Sequence, residues 1–197
     1  MGELSRKAIL ASLLIGLGNY VLLKIGTPVG PFLFSLGLLA VCYMGANLFT
    51  GKCGFLFEDN IKLADLGLIL VVNLISGYLL GAIFGLADAD LSSVAASKIS
   101  GWEFSFPFLV KAVLCGVVMF VAVYIYRKGS PFGVLIGVPL FIFAGFQHCI
   151  ANVITMGAAL TFDWSILLAI VGNFVGSIIT WWLFRSNRCV KTEQKRL

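Results

Sequence analysis

The sequence predicts an all-α integral membrane protein with six transmembrane helices. Of its 197 residues, 60% are hydrophobic and 12% are charged, whereas soluble domains contain about 45–50% apolar and about 25% charged residues. The mean hydropathy is +1.03, and a soluble globule of this length has no interior large enough for so much apolar surface. Soluble enzymes and nucleic-acid-binding modules are therefore excluded, and the lipid bilayer is the expected surrounding.

Six apolar runs are long enough to be membrane helices. A crossing needs about 20 mostly apolar residues, and the runs are far too long for barrel strands of about ten residues. The second and fifth runs are unusual, because residues 25–51 and 129–162 contain no Asp, Glu, Lys or Arg. This length predicts that they either tilt steeply or break and re-enter. The six predicted spans are residues 8–25, 32–50, 66–87, 107–126, 132–160 and 163–184.

The basic residues predict the orientation of the chain. Six spans place both termini on one side, and eleven of the fourteen Lys and Arg residues fall on that side: Arg6, Lys7, Lys52, Lys62, Arg127, Lys128, Arg185, Arg188, Lys191, Lys195 and Arg196. Only Lys24, Lys98 and Lys111 fall on the other. Because loops rich in Lys and Arg stay in the cytoplasm, both termini are expected to be cytoplasmic, in the inner (plasma) membrane. The net charge of +5 is explained by topology rather than by a polyanionic partner.

The two halves of the chain carry an internal repeat. Asn73 precedes Gly77 in the third span, and Asn173 precedes Gly176 in the sixth, while the two uncharged runs are spans two and five. We therefore expect one transmembrane domain over residues 1–197, with repeats at about 8–87 and 107–185. Three spans are an odd number, so the halves insert in opposite senses, and a pathway is expected between them near the midplane. The regularly spaced glycines predict close helix packing: Gly77, Gly81, Gly85, Gly172 and Gly176.

Two places could carry chemistry. His148 is the only histidine and lies in the long fifth run, where an ionisable group is costly unless it faces a cavity or a partner. It either exchanges protons on a pathway or stays neutral and joins two helices. In the second run, small and polar residues interrupt the apolar pattern up to Lys52. An unwound chain there would offer backbone N–H groups and the Thr50 hydroxyl to an anion, unless the segment is an ordinary helix end with Gly51 as its stop.

Nothing in the sequence calls for a metal or a cofactor. The five cysteines contain no C-x-x-C pair, which argues against a thiolate metal site or a disulfide framework: they are Cys42, Cys53, Cys115, Cys149 and Cys189. A single histidine cannot ligate a haem from both sides.

Two motifs resemble the formate/nitrite transporter family. Asn47-Leu48-Phe49-Thr50-Gly51 looks like the broken second helix of that family, and residues 145–152, GFQHCIAN, look like its fifth-helix signature. The similarity covers about residues 8–185 and implies an aquaporin-like fold and a homopentamer with one pore in each protomer. Members conduct small monovalent anions or their conjugate acids, such as formate, nitrite and hydrosulfide. The resemblance implies pathway residues His148, Thr50, Asn152 and Asn47, and constriction residues Leu48 and Phe141.

Three positions depart from the family pattern. Gln147 stands where many members have Glu, and Asn47 where many have Asp. Gly116 falls where the family usually has an Asn beside the pore. Loss of that amide would remove one polar contact to a passing anion, so these departures bear on substrate preference.

The expected function is transport rather than catalysis. A naked anion meets a large desolvation cost at an apolar constriction, so we expect it to take a proton from His148 or from water and to cross as a neutral acid. Lys98, Lys111 and Lys52 are candidates to attract it into the vestibules, or they merely snorkel to the headgroups. A neutral-solute channel of aquaporin-like type is the alternative, although paired Asn-Pro-Ala motifs are absent. A membrane enzyme or another non-transport membrane subunit is the third possibility.

Overall fold

The fold is entirely helical over the residues that the structure describes. The computed structural model describes residues 2–194, and side chains over residues 2–185. Arg188 and Lys191, which belong to the predicted cytoplasmic charge cluster, have their side chains outside this part, as does Cys189; Lys195 and Arg196 lie outside it altogether. The helices are α1 Glu3–Ile25, α2 Val29–Tyr43, α3 Phe49–Lys52, a 3-10 helix Cys53–Phe55, α4 Leu63–Ala87, α5 Ala89–Ile99, α6 Phe106–Arg127, α7 Phe132–Phe143, α8 Cys149–Ala158 and α9 Ser165–Gln194.

Four of these helices are long and apolar enough to cross a membrane. They are α1, α4, α6 and the Ser165–Arg185 part of α9, with 23, 25, 22 and 21 residues. At about 1.5 Å per residue, each exceeds the roughly 30 Å of a bilayer core. They coincide with the predicted first, third, fourth and sixth spans, and the prediction of a helical membrane protein is confirmed.

The predicted second and fifth spans are each represented by two shorter helices. The chain leaves the helical path after Tyr43 and after Phe143. Gly45 and Gly145 follow with positive φ angles of 60° and 68°, and the N–H groups of each glycine and of the residue after it bond back to the preceding helix. For the second span these bonds run from Gly45 N–H to the Cys42 carbonyl (3.3 Å) and from the N–H of residue 46 to the carbonyl of residue 41 (3.0 Å). This is a helix stop that favours glycine.

The idea that Gly51 ends the second helix is wrong. Gly51 lies inside α3, and the helix that precedes it has already ended at Tyr43. The sequence offered two glycines six residues apart, and only the backbone conformation distinguishes the one that stops the helix.

Corresponding residues of the two halves make corresponding contacts, and Asn73 and Asn173 are the centre of each set. Asn73 of α4 accepts the Phe49 N–H at 2.9 Å, and Asn173 of α9 accepts the Cys149 N–H at 2.8 Å. Each amide also donates to the carbonyl two residues before that N–H, at 3.1 Å and 2.7 Å respectively. A third bond from each reaches a carbonyl of a neighbouring long helix, Ala8 or Ala112, both at 2.8 Å. Asn73 therefore holds the first non-helical segment in place, and Asn173 holds the second.

The small residues of the long helices allow very close packing, as predicted. A Cβ atom on Gly81 or Gly85 would strike a backbone carbonyl of α8, and one on Gly176 would strike a carbonyl of α6. Gly116 faces the backbone of Asn173 in the same way. The α6–α9 contact therefore leaves no room for a side chain at position 116, where the family pattern usually has an Asn.

Helix α5 was not anticipated from the sequence. Its 11 residues are too few to cross a bilayer. Asp88 caps its first turn by accepting the Leu91 N–H at 3.1 Å, and its other oxygen accepts a bond from Lys24 at 2.7 Å. Leu91 and Ala95 are buried against the ends of α1 and α8. The segment that sequence patterns treated as a loop thus forms a short helix packed on the protein.

Candidate functional site

His148 and Thr50 meet at the centre of the protein. The Thr50 Oγ1 atom lies 2.8 Å from His148 Nε2, although 98 residues separate them in the sequence. Thr50 stands in the short helix α3, directly after the first non-helical segment, and His148 is the residue that caps α8 after the second. Both are 2% exposed. The two helix interruptions are what bring these side chains together.

The bonds of the imidazole indicate its protonation state. His148 Nδ1 accepts the backbone N–H of Ala151 at 3.0 Å, so that nitrogen carries no proton in this arrangement. The ring proton is then on Nε2 and is donated to Thr50 Oγ1, which leaves the Thr50 hydroxyl hydrogen available for an acceptor. A doubly protonated ring would set a donor against the Ala151 N–H, so charging His148 requires this cap to open.

Aromatic and aliphatic side chains surround the polar pair. The Phe141 ring lies nearly parallel to the His148 ring, with 5.7 Å between centroids. Phe34 packs edge-on against Phe141 at 6.2 Å, and Leu48 and Phe34 are each 1% exposed. Phe34 was missed by sequence reasoning, because nothing distinguishes it from the other phenylalanines of the same apolar run.

A cavity of about 130 Å³ lies beside the segment that carries Thr50, because Leu48 and Gly51 contribute to its lining. Its buried wall includes Leu38 and Leu48, and its lining also includes the basic side chains Lys52 and Arg127. Of the three predicted vestibule residues, Lys52 is the one in this lining. Arg127 was counted in the sequence only as a topology signal. The full lining is Leu38, Val41, Cys42, Gly45, Ala46, Leu48, Gly51, Lys52, Val123, Tyr126 and Arg127.

The other two basic candidates lie apart from this cavity. Lys98 is exposed on α5, and Lys111 is exposed near the start of α6. The Lys111 carbonyl accepts the Gln147 N–H at 3.4 Å, and the Lys7 carbonyl accepts the Asn47 N–H at 3.0 Å in the other half. Lys7 is thus the structural counterpart of Lys111, which the sequence pattern did not reveal.

The remaining polar candidates are bonded within the protein. The Asn152 amide donates to the Gln147 side chain at 2.9 Å, and the Asn47 amide donates to the Leu4 carbonyl at 3.3 Å. The expectation that the unwound chain offers its backbone N–H groups to an anion is wrong for Phe49, whose N–H is already bonded to Asn73. The Thr50 hydroxyl is the group of that segment directed at the centre.

No group of three or more His, Cys, Asp or Glu side chains in the described part of the chain is arranged to hold a metal ion. Within that part, the thiols of four cysteines are free: Cys42, Cys53, Cys115 and Cys149.

Comparison with known proteins identifies relatives over almost the whole chain. A family model described as Formate/nitrite transporter matches residues 1–187. The uncharacterized transporter YrhG of Bacillus subtilis is 27% identical over 179 residues, which cover 77% of this chain and 67% of the relative. The formate-nitrite transporter of Plasmodium falciparum is 25% identical over 230 residues, which cover 90% of this chain and 74% of the relative.

Two solved structures share the architecture. A pentameric formate channel with formate bound has a TM-score of 0.72 and 18% identity, with 98% of this chain and 97% of that chain covered. A structure described as an FNT family ion channel has a TM-score of 0.68 and 19% identity, with 91% and 86% covered. At these identities the likeness shows a common fold.

Proposed function

The chain belongs to the formate/nitrite transporter family, and we propose that it carries small monovalent anions or their conjugate acids across the plasma membrane. Formate, nitrite and hydrosulfide are the substrates that we expect. The observation that carries the proposal is the buried His148–Thr50 pair at 2.8 Å, which packs against Phe141. A cavity whose lining includes Lys52 and Arg127, called the basic cavity below, lies beside the segment that carries Thr50. The relatives and structural neighbours are transporters and channels rather than enzymes.

The apolar residues beside the pair determine the form in which a substrate crosses. Leu48 and Phe141 are the proposed constriction, and neither presents a polar side-chain atom. An anion that sheds water there meets a penalty far above thermal energy, whereas a small neutral acid does not. Protonation before the constriction removes this barrier, so net transport is expected to carry a proton with each anion.

The basic cavity supplies the attraction that precedes protonation. Lys52 and Arg127 in its lining raise the local concentration of anions by their positive potential. Lys98 and Lys111 are proposed to do the same on the opposite side of the membrane. The anion then takes a proton from vestibule water or from His148, passes the constriction as the acid, and releases the proton on the far side.

The bonds of His148 favour water as the first proton source. In the neutral form His148 Nε2–H is donated to Thr50, and the Thr50 hydroxyl points its hydrogen at the passing molecule. Transfer of a proton from His148 itself requires the imidazolium, which forms only after the Ala151 N–H leaves Nδ1. His148 is therefore proposed to align Thr50 during most passages and to hold a proton briefly.

The proposed assembly follows from the repeat and the relatives. The matching contacts of Asn73 and Asn173 support one domain of six crossings, with two inverted halves, broken second and fifth spans and both termini in the cytoplasm. The structural neighbour is described as a pentameric formate channel, and we propose the same homopentamer here. Asn47 and Asn152 then line the non-helical segments as supports of the pathway.

Transport by proteoliposomes tests the proposal. Formate, nitrite and hydrosulfide uptake is measured at several external pH values for the wild type, His148→Asn, Thr50→Val and the matched control Thr50→Ser. Wild type should carry at least one of these anions faster as the pH falls, and Thr50→Ser should retain that flux because it keeps the hydroxyl. His148→Asn and Thr50→Val should lose most of it. Wild-type flux together with wild-type pH dependence in His148→Asn would refute the role of the histidine, and silent wild-type vesicles would refute transport.

A further inference from the structure

Arg127, which contributes to the lining of the basic cavity, forms an ion pair with Asp59. Arg127 ends α6, and Asp59 lies in the loop after the 3-10 helix. The two guanidinium NH₂ groups donate separately to the two carboxylate oxygens, at 2.9 Å and 2.7 Å. This is the parallel, two-bond geometry in which arginine recognises planar carboxylates. The guanidinium is thus arranged for an anion with two oxygens side by side.

The guanidinium is held rigidly in that orientation. Its Cζ atom lies 3.7 Å from the centroid of the Phe55 ring, and Phe55 stacks on Phe120 with 4.9 Å between centroids. Phe55 is buried, so it forms a fixed floor beneath the planar group. An arginine that is stacked in this way keeps its fork, the pair of parallel N–H donors, pointing in one direction.

The pair is also accessible to solutes. The side chains of Arg127 and Asp59 are 33% and 32% exposed, and Arg127 contributes to the lining of the cavity that reaches Leu48. The guanidinium beside Asp59 holds the pKa of that carboxyl below its usual value, so Asp59 is a carboxylate at neutral pH. An exposed ion pair of this kind is weak enough to open and close readily.

We propose that Arg127 is a recognition site for anions with two adjacent oxygens, and that Asp59 is a tethered competitor which occupies it when no substrate is bound. The inference rests on the proposed transport function and deepens it. Formate and nitrite present two oxygens to the fork in the manner of the Asp59 carboxylate. Hydrosulfide has one small sulfur atom and cannot make the paired bonds. The exchange of Asp59 for substrate therefore favours formate and nitrite over hydrosulfide at this entrance.

The alternative is that the pair only fastens the loop after Thr50 to α6. A fastening role would affect every permeant alike, whereas recognition changes the ratio between formate and hydrosulfide. Half-saturating concentrations for the two anions therefore distinguish the roles. They are measured by tracer exchange with equal anion on both sides of the vesicle membrane, at one fixed pH, so that the orientation of the protein in the vesicle does not matter.

Asp59→Asn is the decisive variant, and Glu58→Gln is its control because it removes the same charge one residue away. Asp59→Asn should lower the half-saturating concentration of formate by about twofold to fivefold, the range that loss of a competing exposed ion pair allows. The half-saturating concentration of hydrosulfide should stay within about 1.5-fold of the wild-type value. Glu58→Gln should leave the formate-to-hydrosulfide ratio unchanged, and Arg127→Lys added to Asp59→Asn should remove the gain, because lysine lacks the fork.

Three outcomes would overturn the inference. The first is an equal shift for formate and hydrosulfide in Asp59→Asn, and the second is a gain that survives Arg127→Lys. The third applies if Asp59→Asn does not assemble: Arg127→Lys alone, with its fold verified by size-exclusion chromatography, would then leave the formate-to-hydrosulfide preference at the wild-type value. In each case a wild type that still carries anions shows that the transport function survives without this site. A wild type that carries none removes both proposals.

Discussion

Replacing Asn173 by Leu tests whether a buried amide holds the second helix interruption. The side chain makes three bonds of 2.7–2.8 Å, to the Cys149 N–H and to the carbonyls of Gln147 and Ala112. Leu has a similar volume but cannot form a hydrogen bond with any of these three groups. Side-chain hydrogen bonds in membrane proteins average about 0.6 kcal/mol, which gives a loss of about 2 kcal/mol. Counted instead as the cost of leaving the Cys149 N–H and the Gln147 carbonyl without this partner, at about 1–3 kcal/mol for each buried group, the loss is about 2–6 kcal/mol, which is the range that we expect.

Thermal unfolding of the purified protein in detergent, followed by circular dichroism, measures this loss. For a chain of this size, about 2–4 °C of melting temperature corresponds to each kcal/mol, so Asn173→Leu should lower the melting temperature by about 4–24 °C. Asn19→Leu is the matched control, because the Asn19 amide makes one bond, to Thr155 at 3.1 Å, and its buried Oδ1 has no partner. Asn19→Leu should therefore cost less than about 1 kcal/mol. Equal melting temperatures for the two variants would show that the Asn173 bonds do not hold the interruption.

Two further predictions concern packing and pH. Gly81→Ala should destabilise the protein by about 1–3 kcal/mol, because the new Cβ atom meets the Ile154 carbonyl. Gly67→Ala in the same helix has open space and should be neutral or stabilising by up to about 1 kcal/mol; equal unfolding midpoints for the two variants would contradict the close α4–α8 contact. The Lys24 ammonium beside Asp88, together with the cap of α5, lowers the pKa of Asp88. Its stabilising contribution is therefore complete above the unfolded-state pKa of about 3.9 and is lost as the pH falls from there toward the lower folded-state pKa. Asp88→Asn should accordingly lower the melting temperature at neutral pH, and the difference from wild type should shrink below about pH 4; a difference that is constant with pH would refute this assignment.

Local sequence patterns predicted the spans well because membrane helices obey a length rule. Four predicted spans coincide with long helices, and the two uncharged runs coincide with pairs of shorter helices. The spacing of polar residues also identified Asn73 and Asn173 as corresponding positions. The pattern did not reveal which groups the two amides bond, since the partners of each amide lie 24–65 residues away in the chain.

The central pair was predicted through a resemblance rather than through local rules. His148 was a candidate because it is the only histidine, and Thr50 because it interrupts an apolar run. Composition gave no reason for the two to touch, and only the packing of two non-helical segments places their atoms 2.8 Å apart. The assigned roles of both residues remain predictions until transport is measured.

The sequence alone determined that the chain lies in a membrane, how many apolar runs it has and which family it resembles, because these depend on composition, segment length and short motifs. Only the tertiary structure decided that Gly45 rather than Gly51 ends the second helix, that the α6–α9 contact leaves no room for a side chain at position 116, and that Arg127 pairs with Asp59. The physical reason is that lipid and protein interior are both apolar, so hydrophobicity cannot tell which face of a helix meets a neighbour. Contacts between distant residues are fixed by how the helices pack.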